Sequence, residues 1–144
     1  MRRYFTVPGQ PQGKGRPRIA IHGGHAHGYT PSKTVSYEAL IMGSYLTAYA
    51  NAEPFRNAVE LKIRAVYGIP KSWPLKRKQE ALAELIPVTV KPDFDNVLKV
   101  VADALNGVAY SDDKQITFAQ VEKVYGITPH LEIELQEFER PGIE

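Results

Sequence analysis

A chain of 144 residues, 43% of them hydrophobic, is long enough to bury a core as one domain spanning residues 1–144 without a disulfide or a structural metal. It has no cysteine, which excludes disulfide frameworks, thiolate zinc sites and cysteine nucleophiles. The net charge of +2 conceals an uneven distribution: Arg2, Arg3, Lys14, Arg16, Arg18 and Lys33 all precede the first acidic residue, Glu38, whereas Asp93 to Asp113 holds five aspartates and one lysine.

A basic arm attracts phosphates over a distance set by salt screening, and a tight carboxylate cluster needs a cation. Together they point to a polyanionic substrate handled through a metal ion. No apolar run reaches the roughly 18 residues of a membrane span, and no apolar stretch follows the charged N-terminus. A cytoplasmic protein with no membrane partner is expected.

In chain order, residues 3–8 read as a strand and 9–17 as a loop marked by Gly9, Pro11, Gly13, Gly15 and Pro17. Arg18 to Ile21 and Gly28 to Thr30 form the arms of a hairpin around Gly23 and Gly24. Ser32 is placed to cap a helix running to about Ala50, with Val35, Leu40, Ile41, Tyr45, Leu46 and Tyr49 as its apolar positions. The clearest strand is 58–69, where Val59, Leu61, Ile63, Ala65, Tyr67 and Ile69 alternate with Glu60, Lys62 and Arg64. Pro74 suits the first turn of a basic helix from Leu75 to about Leu85, and Val88 to Val90 reads as extended. A second strong helix covers roughly Asn96 to Leu105, buried through Val97, Leu98, Val100, Val101, Ala104 and Leu105 and stopped at Asn106-Gly107. Strands near 115–125 and 130–138 finish the chain. The order strand, hairpin, helix, strand, two helices, two strands predicts an α+β domain, a mixed sheet covered by helices.

Chemistry concentrates in Asp93, Asp95, Lys99, Asp103, Asp112 and Asp113. In an extended segment Asp93 and Asp95 project from one side with Phe94 turned inward. Asp95 also reaches the start of the helix, where it can cap backbone N–H groups. Lys99 and Asp103 follow at four-residue steps on one helical stripe. Mg²⁺ takes hard oxygen ligands and keeps several waters, so two or three carboxylates suffice. Phosphodiester hydrolysis gains from such an ion, and a lysine can neutralise charge building on the phosphate. Against this, Asp-x-Asp before a helix is often a capping pair on a solvated turn. The lysine one turn on and the downstream pair weigh toward catalysis, because five carboxylates near one helix repel without a cation.

The stretch KPDFDNVLKVVADALNGVAYSDDKQI closely resembles the signature segment of RusA-type Holliday-junction resolvases: Asp-x-Asp-Asn, a lysine one turn later, Asp-Ala-Leu-Asn, then Asp-Asp-x-Gln. QGKGRPR, the following hairpin, YTPSKTVSYE and the Pro-Lys-Ser-Trp segment are similar to the same family, so the resemblance covers nearly the whole chain. It implies a small homodimeric endonuclease, often of phage or prophage origin. Such enzymes nick opposing strands of four-way DNA junctions in recombination and repair with Mg²⁺, Mn²⁺ substituting. Carried over by position, the essential aspartates, also the metal ligands, fall on Asp93, Asp95 and Asp113, and the catalytic lysine on Lys99. The roles of Asp112 and Asp103 stay open; Asp103 can pair with Lys99.

Lys14, Arg16 and Arg18 lie along a glycine-spaced loop whose backbone could rest on DNA, against the plainer reading of a solubilising loop. Lys71, Lys76, Arg77 and Lys78 read at least as well as a solvated face, and Trp73 as a packing anchor. His22, His25 and His27 could hold a transition metal, but no carboxylate or thiol accompanies them, so a DNA-facing hairpin tip is preferred. Tyr45, Tyr49 and Phe55 are interface candidates for a twofold dimer. The competing functions are a non-catalytic DNA-binding accessory protein and a metal-dependent nuclease for other branched DNA.

Overall fold

Side chains alternate across a strand, so a period of two in the hydrophobic pattern builds one dry face and one wet face. The computed structural model, which describes residues 1–140, realises this pattern in a four-stranded sheet. Its elements are β1 (Arg2–Pro8), β2 (Arg18–His22), β3 (His25–Tyr29), α1 (Ser32–Tyr49), β4 (Val59–Gly68), α2 (Leu75–Leu82), α3 (Phe94–Leu105), a 3-10 turn (Asp113–Gln115), β5 (Ile116–Gly126) and β6 (His130–Glu137). The sheet order is β1-β6-β4-β5, antiparallel except for the parallel β4–β5 pair. The connection from β4 to β5 crosses through α2 and α3, as a parallel pair requires. β2 and β3 form a separate hairpin.

The registers stack three rows across the sheet: Val7–Leu131–Ala65, Phe5–Ile133–Ile63 and Arg3–Leu135–Leu61. All nine residues are buried. Each buried Leu, Ile, Val or Phe contributes about 1.5–3 kcal/mol, so these rows anchor the fold. α1 packs on β1 and α3, and α3 packs on β5. The opposite face carries Glu60, Lys62 and Arg64, with Arg64 paired to Glu84 and Glu122. The α+β expectation therefore holds, with helices over the sheet's apolar face.

Several local expectations are corrected. Pro31, not Ser32, precedes the first turn of α1, and no side chain caps it. The buried stripe of α1 is Thr34, Tyr37, Ile41 and Tyr45, while Val35, Leu40 and Leu46 face outward. Apolar residues are scattered around this helix among serines and threonines instead of gathering on one stripe, so hydropathy cannot say which side turns inward; Ile41 and large phenol rings take the core. Val88 to Val90 has no strand partner and remains irregular, although Val88 is buried. Tyr45 and Phe55 are core residues, and Tyr49 is partly buried. The Tyr49 hydroxyl accepts from the Tyr4 N–H and donates to the Tyr4 carbonyl. All three interface candidates therefore have intramolecular homes. Arg3 is likewise no part of a surface arm: it is buried, donates to the Tyr45 hydroxyl at 2.8 Å and lies 4.0 Å over the Phe55 ring. Trp73 is the packing anchor expected, edge-on to Tyr125 and covered by Arg77.

Tyr37 is buried, and its hydroxyl has no hydrogen-bond partner among the described residues. Burial pushes it up from 10.0 to about 12; the Gln12 backbone nearby favours the ionised form and offsets part of the rise, but closes no hydrogen bond to the neutral hydroxyl. Burial first, then neighbouring charge, also pushes Tyr67 to about 12. For a raised group, stability is fully present below the unfolded value and is lost as pH rises through the folded one. The melting temperature is therefore expected to fall once pH exceeds 10. Tyr37→Phe should flatten that fall and leave stability at pH 7 unchanged or higher by up to about 1 kcal/mol, since an unpaired buried hydroxyl costs stability. Melting curves at pH 7 and across the alkaline range, wild type against variant, check both; a loss above about 1 kcal/mol at pH 7 contradicts this account.

Candidate active site

α3 begins at Phe94, two residues before the expected start. Asp93 is its N-cap, with the extended backbone usual for a cap (φ −69°, ψ 157°), and its carbonyl accepts from the Val97 N–H at 3.0 Å. An acceptor side chain at the cap and an acid in the first turn both favour helix there. The expected extended geometry for Asp93 and Asp95 is thus replaced by cap and first turn. Phe94 points outward, 62% exposed, instead of inward. The Asp93 carboxylate makes no capping hydrogen bond, and both Asp93 and Asp95 are exposed. Below them, Val97, Val100, Val101, Ala104 and Leu105 bury the helix.

The loop at 9–17 is strapped across this helix. The Lys14 N–H donates to the Asn96 carbonyl at 3.1 Å, and the Gly15 N–H to the Thr34 hydroxyl at 3.0 Å. A Cβ on Gly13 would meet Asn96 and Pro92 at 2.9 Å, and one on Gly15 would meet the Thr34 hydroxyl at 2.6 Å. These glycines serve close approach to α3 and α1, where the sequence suggested a backbone open to DNA.

Lys14 turns inward. Its ammonium lies 2.9 Å from Glu38 and 3.0 Å from Asp103. Burial alone would lower its pKa, but hydrogen bonds to both carboxylates outweigh that and raise it. Arg16 and Arg18 remain exposed, so the loop displays two of the three expected cations. Lys99, 60% exposed, sits 3.5 Å from the other Asp103 oxygen. Glu38 is the participant that sequence reasoning missed; its signal was its position as the first acid after a long basic stretch.

Asp112 and Asp113 divide their work. Asp112 caps the 3-10 turn, accepting from the Lys114 N–H at 2.9 Å, while the Gln115 side chain accepts from the Asp112 N–H at 3.0 Å. The Lys114 backbone bond is the main reason the Asp112 carboxyl is held low. The Gln115 amide donates onward to the Phe55 and Asn57 carbonyls, fixing the turn to the chain before β4. Beneath it Tyr110, fully buried, donates to the Ala102 carbonyl at 2.6 Å. Burial pushes the Tyr110 hydroxyl far up, and the charges of Asp113 and Asp103 add to this. Asp93 acts in the same sense on Tyr67, which donates to the Pro92 carbonyl.

Asp93, Asp95 and Asp113 are therefore the three of the five aspartates free of protein ion pairs and capping bonds among the described residues, with the Asp113 carboxyl set against that of Asp112. They supply hard oxygen donors, and the uncapped Asp93 carboxylate suits Mg²⁺ or Mn²⁺ in chemistry. Among the described residues no three carboxylate or imidazole groups close into a metal cage. That covers His22, His25 and His27, although they share one face of the hairpin through the His22–His25 and Ala20–His27 pairs. No described helix is long and apolar enough to cross a membrane.

A family model described as endodeoxyribonuclease RusA matches residues 8–136. The chain is also 35% identical over 138 residues to the uncharacterized protein YqaN of Bacillus subtilis (strain 168), covering 92% of this chain and 94% of that protein.

Two kinds of cation on one loop should separate experimentally. Lys14→Met leaves Glu38 and Asp103 without their shared ammonium and should cost about 1–3 kcal/mol, read as a lower melting temperature. Arg16→Ala with Arg18→Ala should leave melting unchanged and flatten the log affinity against log salt slope for DNA by about 0.7–0.9 per lost contact. A Lys14→Met chain as stable as wild type removes the strap; an unchanged slope makes the two arginines bystanders.

Proposed function

The chain belongs to the RusA endodeoxyribonuclease family, and from that premise we propose that it resolves four-way DNA junctions by paired, metal-dependent nicking. The observation that carries the reading is the state of the α3 N-terminus: Asp93 caps it without spending its carboxylate, and Asp95 stands exposed beside it. Asp93, Asp95 and Asp113 would hold Mg²⁺, or Mn²⁺ in its place. The ion, when bound, orients water and stabilises the leaving oxygen of the phosphodiester.

The protein's own groups do the rest. Lys14 occupies one oxygen of Asp103 at 3.0 Å and leaves Lys99 a loose 3.5 Å contact with the other. Lys99 can therefore turn to a phosphate without stranding Asp103. There its ammonium stabilises charge that builds as the bond breaks. Arg16 and Arg18 contact phosphates beyond the cut and set register without reading sequence. The two symmetric cuts of a junction call for a twofold dimer of this chain acting in the cytoplasm, in recombination or repair or in phage DNA processing.

The direct test incubates the chain and Mg²⁺ with four-way, flap and linear duplex DNA and maps the nicks. Paired nicks confined to the four-way substrate are expected; preferential flap cutting supports a different branched-DNA nuclease, and no cutting supports the accessory-protein reading. Asp93→Asn, Asp95→Asn and Asp113→Asn should each abolish cleavage in a folded chain, with metal-free junction binding kept or tightened because less negative charge faces the phosphates.

Lys99→Ala distinguishes catalysis from surface pairing. An exposed i,i+4 ion pair contributes only about 0.3–0.5 kcal/mol, whereas loss of a transition-state donor costs on the order of a hundredfold in rate. The variant should be slow at saturating junction with melting and binding nearly unchanged, and Lys99→Arg should rescue it poorly. Resolution within about threefold of wild type would return Lys99 to a structural role.

A further inference from the structure

Phe94 is the first residue of α3, set between Asp93 and Asp95, and its side chain is 62% exposed. It takes no part in the hydrophobic core, and no aromatic or cationic side chain covers its ring among the described residues. Helix formation gives no reason for a phenylalanine here, since straight-chain residues are better helix formers. Ile19, Ile21 and Leu75 are more exposed still, so exposure alone asks for nothing; what sets Phe94 apart is its place between Asp93 and Asp95 at the candidate metal site.

We propose that Phe94 is a specificity residue that stacks on a nucleobase at the branch point of the DNA, beside the phosphate to be cut; this rests on the junction reading above. Two physical arguments choose a base over a protein surface. A protein interface closing over Phe94 would also desolvate Asp93 and Asp95, and buried carboxylates are costly without a cation. A nucleic acid brings the divalent ion that neutralises that pair together with the flat apolar partner the ring lacks. A branch point is also where bases lose a stacking neighbour, and every base has a face that an aromatic ring can cover without reading sequence. The ring therefore favours branched over continuous duplex, while the aspartates on either side serve the phosphate.

The test uses full-length chains carrying Phe94→Trp, Phe94→Leu or Phe94→Ala. The probe is a synthetic four-way junction with 2-aminopurine at the branch-point positions, bound with Ca²⁺ as the neutralising divalent ion and then cut with Mg²⁺. Phe94→Trp keeps a stacking face and should bind and cut within about threefold of wild type. Phe94→Leu and Phe94→Ala should bind the junction roughly 5- to 150-fold more weakly, the range that loss of one stacked base gives. They should also lose the branch-point fluorescence change, with linear-duplex affinity and melting temperature unchanged. Leucine performing as well as phenylalanine, or a fluorescence change that survives in Phe94→Ala, overturns the proposal. So does a Phe94→Ala chain whose self-association is weakened in sedimentation, which would make the ring a protein contact. A wild-type chain that cuts junctions while the variants match it sinks the stacking role alone; a wild-type chain with no preference for branched DNA sinks the junction reading and this proposal with it.

Discussion

One ammonium group ties together the end of the molecule that carries the candidate site. Lys14 projects from a loop that precedes the hairpin, yet it lies within 3.0 Å of a carboxylate on α1 and another on α3. Its own backbone N–H is bound to α3, and the glycine on each side lets the loop lie flat enough to reach. With these side chains about four-fifths buried, water and salt screen the network poorly, so removing the cation leaves two acids facing each other. The first turn of α3, where the candidate catalytic groups sit, is thus held from above by the loop and from below by the sheet.

The same ion pair changes how the acidic segment is understood. Read as a string, five aspartates near one helix demand an external cation to relieve their repulsion. In the fold, Asp103 is neutralised by Lys14 and Lys99, and Asp112 is occupied by the backbone N–H of Lys114. Three of the five, Asp93, Asp95 and Asp113, are left without an ion pair or a capping bond among the described residues. Those three lie at a helix cap, in a first turn and on a short 3-10 turn, and as they stand they do not close into a metal cage. Structural acids and unspent acids are distinguished by their partners, and only the unspent ones are free for catalysis.

The strands were legible because period-two alternation allows one answer; Leu61, Ile63 and Ala65 face their predicted side and meet Leu135, Ile133 and Leu131 in register. The α3 core stripe was legible for the same reason at helical period, through Val97, Val100, Val101, Ala104 and Leu105. The inward side of α1 was not, because Val35, Leu40 and Leu46 are as hydrophobic as the tyrosines that displace them. The residues of the acidic site were readable as a motif, but their arrangement was not. Whether Asp93 is strand or cap depends on a two-residue shift in a helix start, and that shift sends Phe94 to solvent. Lys14 was misread for a further reason: an ion pair between distant segments leaves no local pattern, so a paired lysine and a displayed one look alike in sequence.

Stability and activity make opposite demands on α3, and the helix satisfies both by dividing its faces. Each buried valine or leucine on the inner face contributes about 1.5–3 kcal/mol, and the four of them, Val97, Val100, Val101 and Leu105, exceed any repulsion between two exposed, screened carboxylates. The outer face can then carry charges and an uncovered ring that no folding requirement would select. The helix dipole helps, since its positive end lies under Asp93 and Asp95 and makes their negative charge less costly without neutralising it. A residual field of that kind is what a site needs if it is to attract a divalent ion. Had the carboxylates been fully satisfied by N–H groups, as Asp112 is, they would stabilise the turn and have little left for a metal or a phosphate.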